Sequence, residues 1–145
     1  MNTQTYSDAN ILPAAVPSVV TTVAPAVGRL MISTLFLLAG LSKLAAPAAT
    51  IGYIQSVGLP LPSVAFGLAA LTEIVGGLAL LLGYRTRFVA GVMFVFTLAT
   101  AAFFHNHLGD QNQFIHFFKN VAIAGGLLNV VAFGGGRLSL DGRRA

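Results

Sequence analysis

The sequence predicts an all-α membrane protein, a bundle of four transmembrane helices with both termini in the cytoplasm. Three observations predict it. Four apolar runs, at residues 26–44, 64–82, 88–104 and 114–133, fill most of the 145-residue chain. A spanning helix needs about 20 mostly apolar residues at about 1.5 Å rise each. Hydrophobic residues make up 56% and charged residues 8%, and the mean hydropathy is +0.83; a soluble domain carries about three times that charge. Arginine sits at one set of helix ends and is missing from the other. A soluble domain of this length has too little interior to hide four such segments.

Residues 1–25 read as an arm, flexible or lying on the membrane surface. Residues 1–27 contain no Lys or Arg, and their apolar stretch is broken by Pro13, Pro17 and Pro25. The positive start of a cleavable signal is missing, so no signal peptide is expected. Pro25 suits the first turn of a helix, where its absent N–H costs nothing. Residues 26–136 form one four-helix domain. Between its first two spans, Pro47, Tyr53 and Gln55 sit in a stretch that suits a short interfacial helix, ended by Gly58-Leu59-Pro60-Leu61-Pro62. Residues 83–87 make a tight basic turn, and 105–113 a polar loop. Gly134-Gly135-Gly136 closes the last span, and 137–145 form a short basic cytoplasmic tail.

The charges orient the bundle. With four spans, both termini and the middle turn share one side, which carries Arg29, Arg85, Arg87, Arg137, Arg143 and Arg144. The opposite loops carry no Lys or Arg, though Lys43 and Lys119 lie near that surface inside their helices. The positive-inside rule places both termini in the cytoplasm and the histidine loop outside. The net charge of +4 is thus spent on orientation. No basic patch is interleaved with exposed aromatics, and no nucleic-acid partner is expected. Cysteine is absent, which excludes a disulfide relay and a Cys-bound Fe–S cluster within this chain.

Glu73 falls near the middle of span two. An ionisable group there is costly and should face the bundle interior or a wet cavity. Ala69, Ala70, Gly76 and Gly77, three and four residues away, are small enough for another helix to approach. Polar faces recur on the other spans: Arg29, Ser33, Gly40 and Lys43; Thr97, Ala101 and His105; Asn112, His116, Lys119, Ala122 and Gly126. Rise per residue puts Glu73 about 15 Å above the cytoplasmic end of its helix, Lys43 about 21–23 Å and Lys119 about 22–24 Å. Either lysine can bend to meet Glu73, with His105 and His116 higher.

Together Glu73, Lys43, Lys119, His116 and His105 suggest a polar funnel open outward and closed at Glu73. Three readings stay open: an ion pair that fixes helix register, a ligand or proton site, and unrelated placement. His105, His107, His116 and Asp110 offer ligand types that suit zinc or copper, but their spacing matches no strong metal pattern and no metal is expected. There is no phosphate-cradling Gly-rich loop, no Gly-x-Ser-x-Gly elbow and no His-Glu-x-x-His helix.

An ordered series of short motifs carries a family resemblance. Arg29 opens span one and Gly40-Leu41-Ser42-Lys43 ends it. Tyr53, Gly58-Leu59-Pro60-Leu61-Pro62, Glu73-Ile74-Val75-Gly76-Gly77, Leu80-Leu81-Leu82-Gly83 and Thr86-Arg87 follow. Phe114-Ile115-His116-Phe117-Phe118-Lys119-Asn120, Gly125-Gly126 and Leu138-Ser139-Leu140-Asp141 complete it. From about residue 29 to 141 the chain resembles the DoxX family of small bacterial inner-membrane proteins. The resemblance marks Arg29, Lys43, Glu73, Arg87 and Lys119 as signature positions without a catalytic role. Related DoxD-type chains belong to a thiosulfate:quinone oxidoreductase, and some DoxX proteins are linked to redox-stress assemblies.

The resemblance implies an accessory subunit of a membrane redox or oxidative-stress complex, non-enzymatic in itself. The alternative is a quinone-binding oxidoreductase subunit that uses the outward-facing polar cluster, with quinone as the cofactor. A small transporter is a more distant third reading. The expected surroundings are the lipid bilayer, membrane or redox protein partners, and further copies of the chain.

Overall fold

The computed structural model describes residues 18–143 and is all-helical, with no strand among them. Five helices follow in chain order: α1 Ser18–Ala45, α2 Pro47–Ser56, α3 Pro62–Leu82, α4 Thr86–Phe104 and α5 Gln111–Phe133. All but α2 are long and apolar enough to cross a bilayer. They form a ring in which α1 packs on α3, α3 on α4, α4 on α5 and α5 back on α1. Most of the arm at 1–25 and the end of the tail lie outside the described residues.

The described part of α1 begins at Ser18, inside the segment read from sequence as an arm. Pro25 therefore lies within the helix rather than in its first turn. Its missing N–H costs one backbone bond within the helix. Its ring meets the chain's far end: a Cβ at Gly136 would lie 2.8 Å from Pro25 Cβ. The short helix expected between spans one and two is α2, held by Pro47 at its first turn. Helix α5 starts at Gln111, three residues before the apolar run, because Asp110 caps it and accepts from the Gln113 N–H at 2.9 Å. Asp110, offered above as an oxygen ligand, serves here as that cap.

Phe36, Leu80, Ala90, Met93 and Leu127 make the apolar core. Small residues set the close approaches. A Cβ on Gly40 would press on Ile74 and Glu73, one on Gly76 on Met93, and one on Gly77 on Leu37. The outward faces stay apolar and exposed, as a bilayer requires: Met31, Leu38, Val95 and Phe133 are among them. Within α3, Thr72–Gly76 form a π-helical turn, a feature found often at functional positions.

The tail is packed rather than loose. Gly83 ends α3 in the left-handed conformation (φ +69), with the Gly83 and Tyr84 N–H groups returning to the Leu80 and Ala79 carbonyls. The chain end then pairs with this turn: Leu140 N–H donates to Leu82 O at 3.1 Å and Asp141 N–H to Gly83 O at 3.0 Å.

Candidate functional site

Glu73 is only 5% exposed, and Lys43 Nζ donates to its Oε1 at 2.8 Å. Gly40, one turn below Lys43, brings α1 against the Glu73 stem. The second carboxylate oxygen, Oε2, is buried and has no hydrogen-bond partner. Both residues line a cavity of about 810 Å³, within the roughly 300–1,000 Å³ usual for small-molecule sites. Its walls come from α1, α2, α3 and α4, with Asn120 from α5, and are mostly apolar. The polar exceptions include Thr97, Thr100, His105 and Asn120. Thr97 and Thr100 donate to helix carbonyls, Met93 O at 2.7 Å and Thr97 O at 2.8 Å, so their hydroxyl protons are already used. A carboxylate acceptor, an ammonium donor and an amide around apolar walls are equipped to hold an oxygen-bearing head on a lipid-soluble body.

The five residues grouped from sequence divide into two sets. Glu73, Lys43 and His105 border the cavity. His116 and Lys119 lie outside it and pair with each other, Lys119 Nζ donating to His116 Nδ1 at 2.8 Å. An ammonium has no acceptor, so this nitrogen must accept. The two residues are three apart on one helix and meet along its surface. The His105 and His116 rings stack at 5.1 Å, and His105 Nδ1 meets Gln113 Oε1 at 3.0 Å. The imidazole pair thus joins the two sets.

The inner face of α5 differs from the one read above. Lys119 and Ala122 are exposed, whereas Ala124 and Leu127 are buried and Asn120, Ile123, Val130 and Val131 half-buried. The run 121–133 is apolar all round apart from Asn129, so hydrophobic periodicity could not choose a face; the neighbour α4 does. Asn120, which this rotation turns to the cavity, was legible only as a polar residue near the funnel.

Arg29 and Arg87 sit at the other end. Arg29, 2% exposed, forks to three carbonyls: Nη1 to Leu80 O at 2.9 Å and Leu81 O at 3.0 Å, and Nη2 to Leu138 O at 2.6 Å. It therefore caps the C-terminal end of α3, where carbonyls lack helical partners. Arg87 is exposed beside Gly134, at the end of α5. Arg29 thus serves the fold, and neither arginine lines the cavity that Glu73 borders.

The DoxX family profile matches residues 24–106. The chain is 36% identical to inner membrane protein YqjF of Escherichia coli (strain K12) over 115 residues, covering 79% of this chain and 87% of that protein. It is 33% identical to inner membrane protein YphA of the same strain over 122 residues, covering 81% and 87%. No solved structure matches it significantly. Four apolar helices, a profile match over more than half of the chain and two inner-membrane relatives covered over most of their length lead to one conclusion: this chain belongs to the DoxX family and is a multi-pass inner-membrane protein.

Proposed function

We propose that this inner-membrane protein is a ligand-binding subunit that holds the head of a quinone-class molecule between Glu73, Lys43 and Asn120. One observation carries the reading: Glu73 lines an apolar cavity, and its Oε2 is buried and unpartnered. A buried acceptor left unpaired costs about 1–3 kcal/mol or more, and a hydroxyl donated by a quinol head would supply the missing bond. The oxidised form, a quinone, presents a carbonyl instead, for which the Lys43 ammonium is the donor. A quinone exchanges electrons with a partner, so the chain acts as an accessory component of a membrane redox assembly rather than as an enzyme alone.

The test is mass spectrometry of small molecules that stay bound after gentle detergent extraction. Wild-type protein should carry a quinone, and Glu73→Gln should carry several-fold less at equal membrane level. A wild type that carries phospholipid only, or equal quinone in both proteins, overturns the reading.

The orientation belongs to the same reading: both termini in the cytoplasm and the His105 rim outside. The arginines on the inner turn and tail support it. Alkaline phosphatase fused at Ala145 should be silent and fused at Gly109 active; the reverse pattern rejects it.

A further inference from the structure

Resting on the reading of this cavity as a ligand site, we propose that it is loaded sideways from the bilayer. Its occupant is an uncharged amphiphile whose hydrocarbon tail lies in an opening lined by Leu35, Leu68 and Phe103 while its head reaches Glu73. The first support is the path of α3. Its outer half, Pro62–Leu71, approaches α1 and α2 but comes nowhere within 8 Å of α4 between Cα atoms. Contact between the two spans begins at the π-helical turn and continues through Gly77–Leu82. The spans thus diverge toward the outer leaflet, with Glu73 at the closed end.

The rim supplies the second support. Leu68, Phe103 and Leu35 line the cavity and are also 60%, 52% and 43% exposed. Leu68 lies about 9 Å below the outer end of α3 and Leu35 about 15 Å below that of α1, both at hydrocarbon depth. At that depth the medium around the bundle is lipid, not water. Glu73 lies about 16 Å below the outer end of α3, near mid-bilayer. A charged lipid headgroup is costly at that depth, whereas a hydroxyl or carbonyl head that is hydrogen-bonded there costs far less. The lateral opening lets its tail remain in hydrocarbon.

The third support is the strap across the outer end. Among the described residues α2 makes no close backbone approach to α4. Tyr53 ties it there: its ring sits 5.4 Å from that of Phe104, and its O–H reaches Phe104 O at 3.5 Å. That is a long, weak bond at an exposed side chain, so α2 can lift from α4 while staying packed on α3.

The chain has no Trp, so one introduced Trp reports without background. Phe36 lines the cavity and is itself buried, away from surrounding lipid. Phe36→Trp protein in vesicles of phosphatidylcholine brominated at mid-chain should lose at least half the fluorescence it shows in unbrominated vesicles. Acrylamide in the water should quench it little. Adding Ala65→Phe to narrow the opening should restore most of the signal, while Leu68→Trp on the rim stays quenched. Phe96→Trp, also on the cavity wall, replaces Phe36→Trp if that variant folds poorly. Equal fluorescence in both vesicle types overturns side loading, with or without quenching by acrylamide. Loss of quinone retention is read separately, so failure of the ligand reading and failure of the route remain distinguishable.

Discussion

Asp141 caps α4 from the far end of the chain: its Oδ2 accepts from both the N–H and the hydroxyl of Thr86, each at 2.7 Å. Its Oδ1 accepts from the Arg85 N–H at 2.9 Å, where Arg85 is held at φ +43. The carboxylate stands at a helix N-terminus, where orphan donors and the helix dipole favour it.

Asp141→Ala should therefore lower stability by about 1–2 kcal/mol, the usual cost of a lost cap. Asp141→Asn should recover part of it, because Asn also caps. Thermal unfolding in detergent reads both; equal melting of Ala and wild type would refute the cap.

Arg29→Lys should be far more damaging than Arg87→Lys. A lysine presents one point charge and cannot fork to the carbonyls of Leu80, Leu81 and Leu138. The expected loss is about 2–3 kcal/mol for a charge-assisted bond and a carbonyl left unpaired. Arg87 is exposed and its substitution should stay within about 0.5 kcal/mol. Unfolding curves of the two variants make the comparison.

The Lys43–Glu73 pair should break asymmetrically. The Lys43 side chain is 29% exposed and that of Glu73 6%. A lysine left alone can bend toward the nearer membrane surface; a carboxylate left alone stays buried. Lys43→Met should thus cost about 3–5 kcal/mol and Glu73→Gln clearly less. Asp110→Ala, a lost cap, should cost about 1 kcal/mol. Glu73→Gln melting below Lys43→Met would contradict this order.

Gly83→Ala should cost more than Gly58→Ala. Both positions have positive φ, +69 and +77, and share a left-handed penalty of about 1–2 kcal/mol. A Cβ at Gly58 meets nothing within 4 Å, whereas at Gly83 it collides with Ser139 and the Arg29 guanidinium. The difference in melting temperature measures the collision; none would mean the tail moves away freely.

Asn120→Leu should reduce ligand retention, while Lys119→Met should leave it unchanged. Asn120 lines the cavity and Lys119 does not. Mass spectrometry after detergent extraction reads both, and the opposite result would return Lys119 to the site.

By itself the sequence determined the class, the number of spans and, the N-terminal side of α1 apart, their approximate ends, because bilayer thickness sets helix length and hydrocarbon tolerates few charges. It also singled out Glu73 as buried, since small neighbours at helical spacing admit a second helix. It could not choose between Lys43 and Lys119 as partner. Their heights differ by about one residue's rise, so only the rotation of α5 about its axis separates them. That rotation turns Asn120 inward and Lys119 outward, and packing against α4 sets it. The π-helical turn has no local signature, and the clasp of Asp141 on Thr86 joins residues 55 positions apart. The divergence of α3 from α4 that opens the cavity is likewise a relation between whole helices. These were decided only in the tertiary structure, because each depends on where distant backbone groups meet rather than on the composition of any one segment.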